Sequence, residues 1–171
     1  YRLGIGYGYD FQHPSKAGPN GASEYQDIKA SAEWLRQQDF VIPDKIGCYG
    51  GSYGGYLTSL SLGRNSDLFA AGVDIHGVHD WTAGTYEESF SGRYEKVPDA
   101  ELSLKIAWES SPVSSVKMWK SPVLVIHADD DRNVAINQST DLIQRLIKKG
   151  VETETMMIVD DTHHFCMYKN Q

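Results

Sequence analysis

Gly50-Gly51-Ser52-Tyr53-Gly54 is a G-x-S-x-G pentapeptide, a spacing that lifts a serine hydroxyl on an abrupt turn between a strand and a helix. Such a hydroxyl attacks an acyl carbonyl only when a base takes its proton, and the base needs a carboxylate to hold its tautomer. Candidates for both lie downstream. Asp129-Asp130-Asp131 follows the apolar run at residues 123–127, and Asp160-Asp161-Thr162-His163-His164 follows the run at 155–159. Nucleophile, acid and base in that order, each after a strand, point to acyl transfer through a covalent intermediate. Spacing alone leaves open which aspartate and which histidine take the roles. A helix beginning at the serine aims its free N–H groups at developing negative charge, so the Tyr53 backbone N–H is the expected oxyanion donor.

The hydrophobic pattern supplies elements to carry these side chains. Strands are expected at residues 45–49, 69–75, 122–127 and 155–159. A helix is expected over 23–38, with Ser23-Glu24-Tyr25-Gln26 fitting a capping box and Tyr25, Ile28, Ala32 and Leu35 on one face. A second follows Ser52 through Leu57, Leu60 and Leu62 and is closed by Gly63. A third carries Ile136, Leu142, Ile143, Leu146 and Ile147 and ends at Lys148-Lys149-Gly150. Strands alternating with helices predict the α/β class, a mostly parallel sheet with helices on both faces. Residues 1–22, rich in Gly, Asn and Pro, read as the end of a strand running into loop. Gly4, Gly6 and Gly8 miss the dinucleotide fingerprint because Tyr9 stands where its last glycine belongs, leaving turn geometry as their role. Residues 82–121 have weak periodicity and are expected to form a lid-like insertion over the site.

Composition narrows the partners. The 171 residues amount to one domain, and 23 acidic against 16 basic side chains give a net charge of −7. No cationic face is available for nucleic acid. No window reaches the ~18 consecutive apolar residues of a membrane-spanning segment. Cys48 and Cys166 are too few for a disulfide framework, and Cys48 reads as a small hydrophobe in its strand. His76-Gly77-Val78-His79-Asp80 is not an i, i+4 helical pair, and neither H-E-x-x-H nor a cysteine cluster occurs. No metal and no cofactor are expected, and His76 and His79 are expected to border the cleft.

The motifs together resemble the catalytic domain of the prolyl oligopeptidase family of serine peptidases, which includes dipeptidyl and acylaminoacyl peptidases. Tyr1-Arg2 leading to Gly6-Tyr7-Gly8, then Gly51-Ser52-Tyr53-Gly54-Gly55-Tyr56, carry the likeness. Asp67-Leu68-Phe69-Ala70-Ala71-Gly72-Val73, Ile126-His127 with Asp131 and Val134, and Asp160-Asp161-Thr162-His163 with Phe165 continue it. Ala128 departs, standing where the family commonly has glycine. The resemblance implies a partial α/β-hydrolase fold in which Ser52, Asp131 and His163 form a triad. It implies that Asn133 holds a substrate carbonyl and that Val78, Trp81, Tyr53 and Val134 lie near the pocket for the residue before the cut bond. It further implies that residues 1–171 are one catalytic domain cut from a longer protein, with an N-terminal propeller and a second oxyanion donor upstream of Tyr1. The expected activity is hydrolysis of peptide bonds. A carboxylesterase with the same triad is the alternative, and a non-catalytic hydrolase-like module is a second, against which the intact Ser52, Asp131 and His163 weigh.

Overall fold

The computed structural model describes residues 1–15, 22–83 and 99–170. Strands β1 (Gly47–Gly51), β2 (Ala71–Ile75), β3 (Val123–Ala128) and β4 (Thr153–Ile158) form a parallel sheet in the order β1-β2-β3-β4. Gly51 pairs with Ile75, Ile75 with Ile126, and Ala128 with Ile158, so the four carboxyl ends lie along one rim. The helices are α1 (Tyr9–Gln12), α2 (Ala22–Leu35), α3 (Tyr53–Arg64), α4 (Ala100–Ser110) and α5 (Asn137–Lys149), with a 3-10 helix at Pro112–Met118. The α/β expectation is met, but α3 and α5 pack on one face of the sheet where helices on both were expected.

Helix α5 forms as its periodicity requires. Leu142 and Leu146 are fully buried, Lys148 and Lys149 occupy the last turn, and Gly150 caps it in the left-handed region at φ 83°. Ala32, Leu62, Trp119, Val123, Val125, Leu142 and Leu146 gather into one core, each large apolar side chain contributing about 1.5–3 kcal/mol on burial. Helical residues meet the sheet on the face where Gly72, Asp74, Val123 and Val125 are buried, while Tyr49 on the opposite face is 81% exposed. Parallel strands in sequential order, joined by crossovers of one hand, place successive helices on the same side. A smaller cluster of Tyr25, Tyr56, Leu57, Leu60, Val78 and Val134 forms a second core. Among the described residues no helix is long and apolar enough to cross a membrane.

Several local expectations are corrected. Residues 1–8 form turns rather than a strand end, with Gly6 at φ 96° and Gly8 at φ 93° supplying them, before the short α1. Ser23 lies inside α2 and its hydroxyl donates to Glu24, so the capping box does not form. Gly63 does not end α3. The helix runs through it to Arg64, because Ser115 and the buried Trp119 pack where a side chain at Gly63 would lie. Of the lid-like segment, residues 84–98 fall outside the described set, while Val113, Val116 and Trp119 are part of the core.

Candidate active site

The rim of carboxyl ends gathers the residues that the motifs singled out, as expected where a parallel sheet presents its loops. Ser52 joins β1 to α3 at φ 55°, ψ −117°, a conformation that costs on the order of 1–3 kcal/mol in a residue with a side chain. Its N–H is held by the Ile75 carbonyl at 2.9 Å and by His76 Nδ1 at 3.0 Å. A Cβ at Gly50 would lie 2.5 Å from the Gly54 backbone, so the first glycine of the pentapeptide permits the helix to start this close. Gly54 itself faces open space. Ser52 Oγ and the Tyr53 amide have no hydrogen-bond partner among the described residues.

Asp131 turns inward while Asp129 and Asp130 stay exposed. Its Oδ1 accepts from the Asn133 and Val134 amides at 2.8 and 2.9 Å, and its Oδ2 accepts from His163 Nδ1 at 2.6 Å. His127 Nε2 lies 3.3 Å from the same oxygen. Burial alone would raise this carboxyl, but the Val134 and Asn133 amides and His163 outweigh it and hold it below the usual range. The loop bearing His163 is tied down by buried Asp161, which accepts from the Thr162, Cys166 and Met167 amides and from Asn170 Nδ2. The Asp161 carbonyl also accepts from the Asp130 amide, joining the base loop to the acid loop.

Ser52, His163 and Asn133 line one cavity of about 580 Å³ together with Gly51, Ile75, His76, His164 and Phe165. Ser52 Oγ makes no hydrogen bond to His163 here, and such contacts commonly close only on substrate binding. Val78, Trp81, Val134 and Tyr53 lie in the apolar cluster beside Tyr56 instead of lining this cavity, with Trp81 meeting the Tyr56 ring edge-on at 5.4 Å. The Tyr53 hydroxyl donates to buried Glu24 at 2.7 Å, and burial together with that carboxylate pushes it up.

Two arrangements escaped the sequence reading. His79 does not border the cleft. It is fully buried, with Nε2 2.5 Å from Asp74 Oδ2, and Ser59 donates to the same oxygen. His76 does border it, and its ring lies against that of His163 with centroids 4.1 Å apart and the planes tilted by 46°. Only the adjacency of His76 to the end of an apolar strand could have signalled that second contact. His76, Asp131 and His163 also bring three ligand-type atoms within 4.8 Å of one another. The trio does not fit a cation. The Ser52 N–H occupies His76 Nδ1 and leaves the hydrogen on Nε2, while His163 Nδ1 and Asp131 share another hydrogen.

Burial, with His163 alongside, pushes the His76 imidazole down from its ordinary 6.5 to about 4. As pH falls from 6.5 toward 4 the unfolded chain takes up a proton that the folded site refuses, so stability declines across that window. His76→Phe should flatten the dependence of the urea midpoint on pH by about one proton there. An unchanged slope would contradict a neutral His76.

Comparison with known proteins identifies the family. Residues 1–171 match the family model described as the prolyl oligopeptidase family. Dipeptidyl peptidase 4 of Sus scrofa is 32% identical over 144 residues, covering 84% of this chain and 18% of that protein. The inactive dipeptidyl peptidase 10 of Mus musculus is 30% identical over 145 residues, covering 84% and 18%. The solved acylaminoacyl peptidase of Pyrococcus horikoshii shares 27% identity and superposes with a TM-score of 0.75, over 92% of this chain and 26% of that one. The chain thus spans about a fifth of the length of the curated relatives it matches. A serine on a strand-to-helix turn, an aspartate and a histidine on successive strand-end loops, and a match along its whole length place the chain in the prolyl oligopeptidase family.

Proposed function

We propose that this chain carries the catalytic machinery of a serine peptidase. His163 Nε2 takes the Ser52 proton as Oγ bonds to a peptide carbonyl carbon, while Asp131 holds Nδ1–H and stabilises the imidazolium. The Tyr53 N–H donates to the oxyanion. The tetrahedral intermediate collapses, His163 returns the proton to the leaving amine, and an acyl-enzyme remains. Water, deprotonated by His163, then releases the acid and restores Ser52. The observation that carries this reading is the buried Asp131–His163 pair opening on the same cavity as Ser52 at its positive-φ turn. Family membership alone would not suffice, because one relative is named inactive.

A peptide substrate follows from relatives named dipeptidyl peptidase and acylaminoacyl peptidase. Asn133, exposed at the cavity, is the proposed donor to a substrate carbonyl. Tyr53, Val78, Trp81 and Val134 are the proposed apolar boundary for the residue before the cut bond. The same likeness brings a second oxyanion donor and a propeller upstream of Tyr1 into the proposal.

A neutral fluorophosphonate should label the full-length protein and fail to label its Ser52→Ala variant. Labelling of that variant at full strength would reject Ser52 as nucleophile. Turnover of esters without any cleavage of peptidyl amides would replace the peptidase by the esterase.

A further inference from the structure

A single hydrogen bond from His163 Nδ1 to Asp131 fixes where that nitrogen sits. It does not stop the ring from swinging about the bond, and the swing decides whether Nε2 faces Ser52. Something must block one face of the imidazole. Resting on the proposed triad, we propose that His76 is a positioning residue, a neutral imidazole wedged between the nucleophile turn and His163 that holds the base in the plane serving Ser52.

His76 is built to stay where it is. It sits at the carboxyl end of β2 in the left-handed region, at φ 43°, where a side-chain-bearing residue persists only if its surroundings over-determine it. Its own N–H donates to the Ile126 carbonyl at 2.7 Å, and its Nδ1 accepts from the Ser52 N–H at 3.0 Å. The next amide, Gly77, donates to buried Asp74 at 3.0 Å. So anchored, the ring lies 4.1 Å from the His163 centroid on one side and 5.3 Å from Phe165 edge-on. Backbone at the nucleophile and the face of the base are thereby referred to one rigid body. Gly51 completes the arrangement, since a Cβ there would lie 3.3 Å from His76 Cε1. The residue before the nucleophile thus leaves room for this ring.

Among the described residues, the titratable groups facing His163 are Asp131 on Nδ1, His127 through that carboxylate, His76 on the ring face and His164 at 5.2 Å. His76 is the one of these whose ring lies against the His163 ring, at 4.1 Å between centroids and tilted by 46°.

The test is the rate of fluorophosphonate labelling together with amide kcat and KM in the full-length protein. His76→Ala should slow labelling by roughly 10- to 100-fold at its plateau, the scale of a misplaced catalytic group. The loss should fall on kcat, with KM little changed. His76→Phe, which keeps a ring against His163 while Ser52 N–H retains Ile75, should recover most of the rate. Gly51→Ala, whose Cβ pushes on His76, should slow labelling too and become silent in the His76→Ala background. An unmoved rate in His76→Ala would overturn the proposal. So would a slowing that His76→Phe does not recover, with an additive Gly51→Ala. Should His76→Ala fail to fold, recovery by His76→Phe and slowing by Gly51→Ala carry the same decision. A wild-type protein that never labels would remove the nucleophile assignment itself, a separate and recognisable result.

Discussion

Asp131→Asn in the full-length protein is expected to lower kcat by about 10⁴, whereas Asp130→Asn leaves it near the wild-type value. The Asp131 side chain is committed on both oxygens, one to the Asn133 and Val134 amides and the other to His163. In an asparagine the carbonyl oxygen must keep the two amides, so its NH₂ faces His163 Nδ1 and His127 Nε2. Donor then meets donor. His163 escapes by moving its hydrogen to Nε2, the nitrogen that has to accept the Ser52 proton, and the base is lost with little change in shape. Asp130 is exposed and engages Arg132 at 3.1 Å, so its replacement removes a surface pair of small worth. Steady-state kinetics on a peptidyl amide check both variants. If Asp130→Asn carries the large loss and Asp131→Asn does not, the assignment of the carboxylate is wrong.

The other large effect concerns stability. Asp74→Ala should cost about 3–5 kcal/mol, the range for breaking a buried pair from one side. Asp74 is fully buried in β2 and accepts from Ser59, from the Gly77 amide and from His79. Its loss strands all three donors, and the His79 ring would then be unpartnered at both nitrogens, since Nδ1 has no partner already. Denaturant midpoints should show the drop, and Asp74→Ala combined with His79→Phe should regain part of it by removing both members together. An Asp74→Ala midpoint equal to wild type would refute the network. Ser59, Asp74 and His79 form a second set of serine, aspartate and histidine in this chain, sealed at 0% exposure where no substrate reaches.

Much of this architecture could be read from residues close together along the chain. The turn at Ser52 is written in five residues, because the lack of a Cβ at Gly50 is a local steric requirement. Helix α5 and its Gly150 cap follow likewise from period and backbone freedom within one element. Where a partner came from elsewhere, local rules failed. Gly63 looked like a stop, but Trp119 made it an interior packing position. His79 looked like a cleft residue, but it is the buried partner of Asp74. Residues 1–22 read as the end of a strand running into loop, but the chain opens in turns over 1–8.

The site divides the same way. From the order of residues alone came the kinds of group, their sequence along the chain and their places after strands, since a parallel sheet sends every strand's end to the same rim. Only the tertiary structure decided that Asp131 turns inward to His163 while Asp129 and Asp130 face water, and that the His76 ring lies tilted beside the base. Neighbours on a loop share composition and spacing, and what separates them is which way each side chain points once distant strands have paired. That direction is set by hydrogen bonds and packing across the sheet, which linear spacing does not encode.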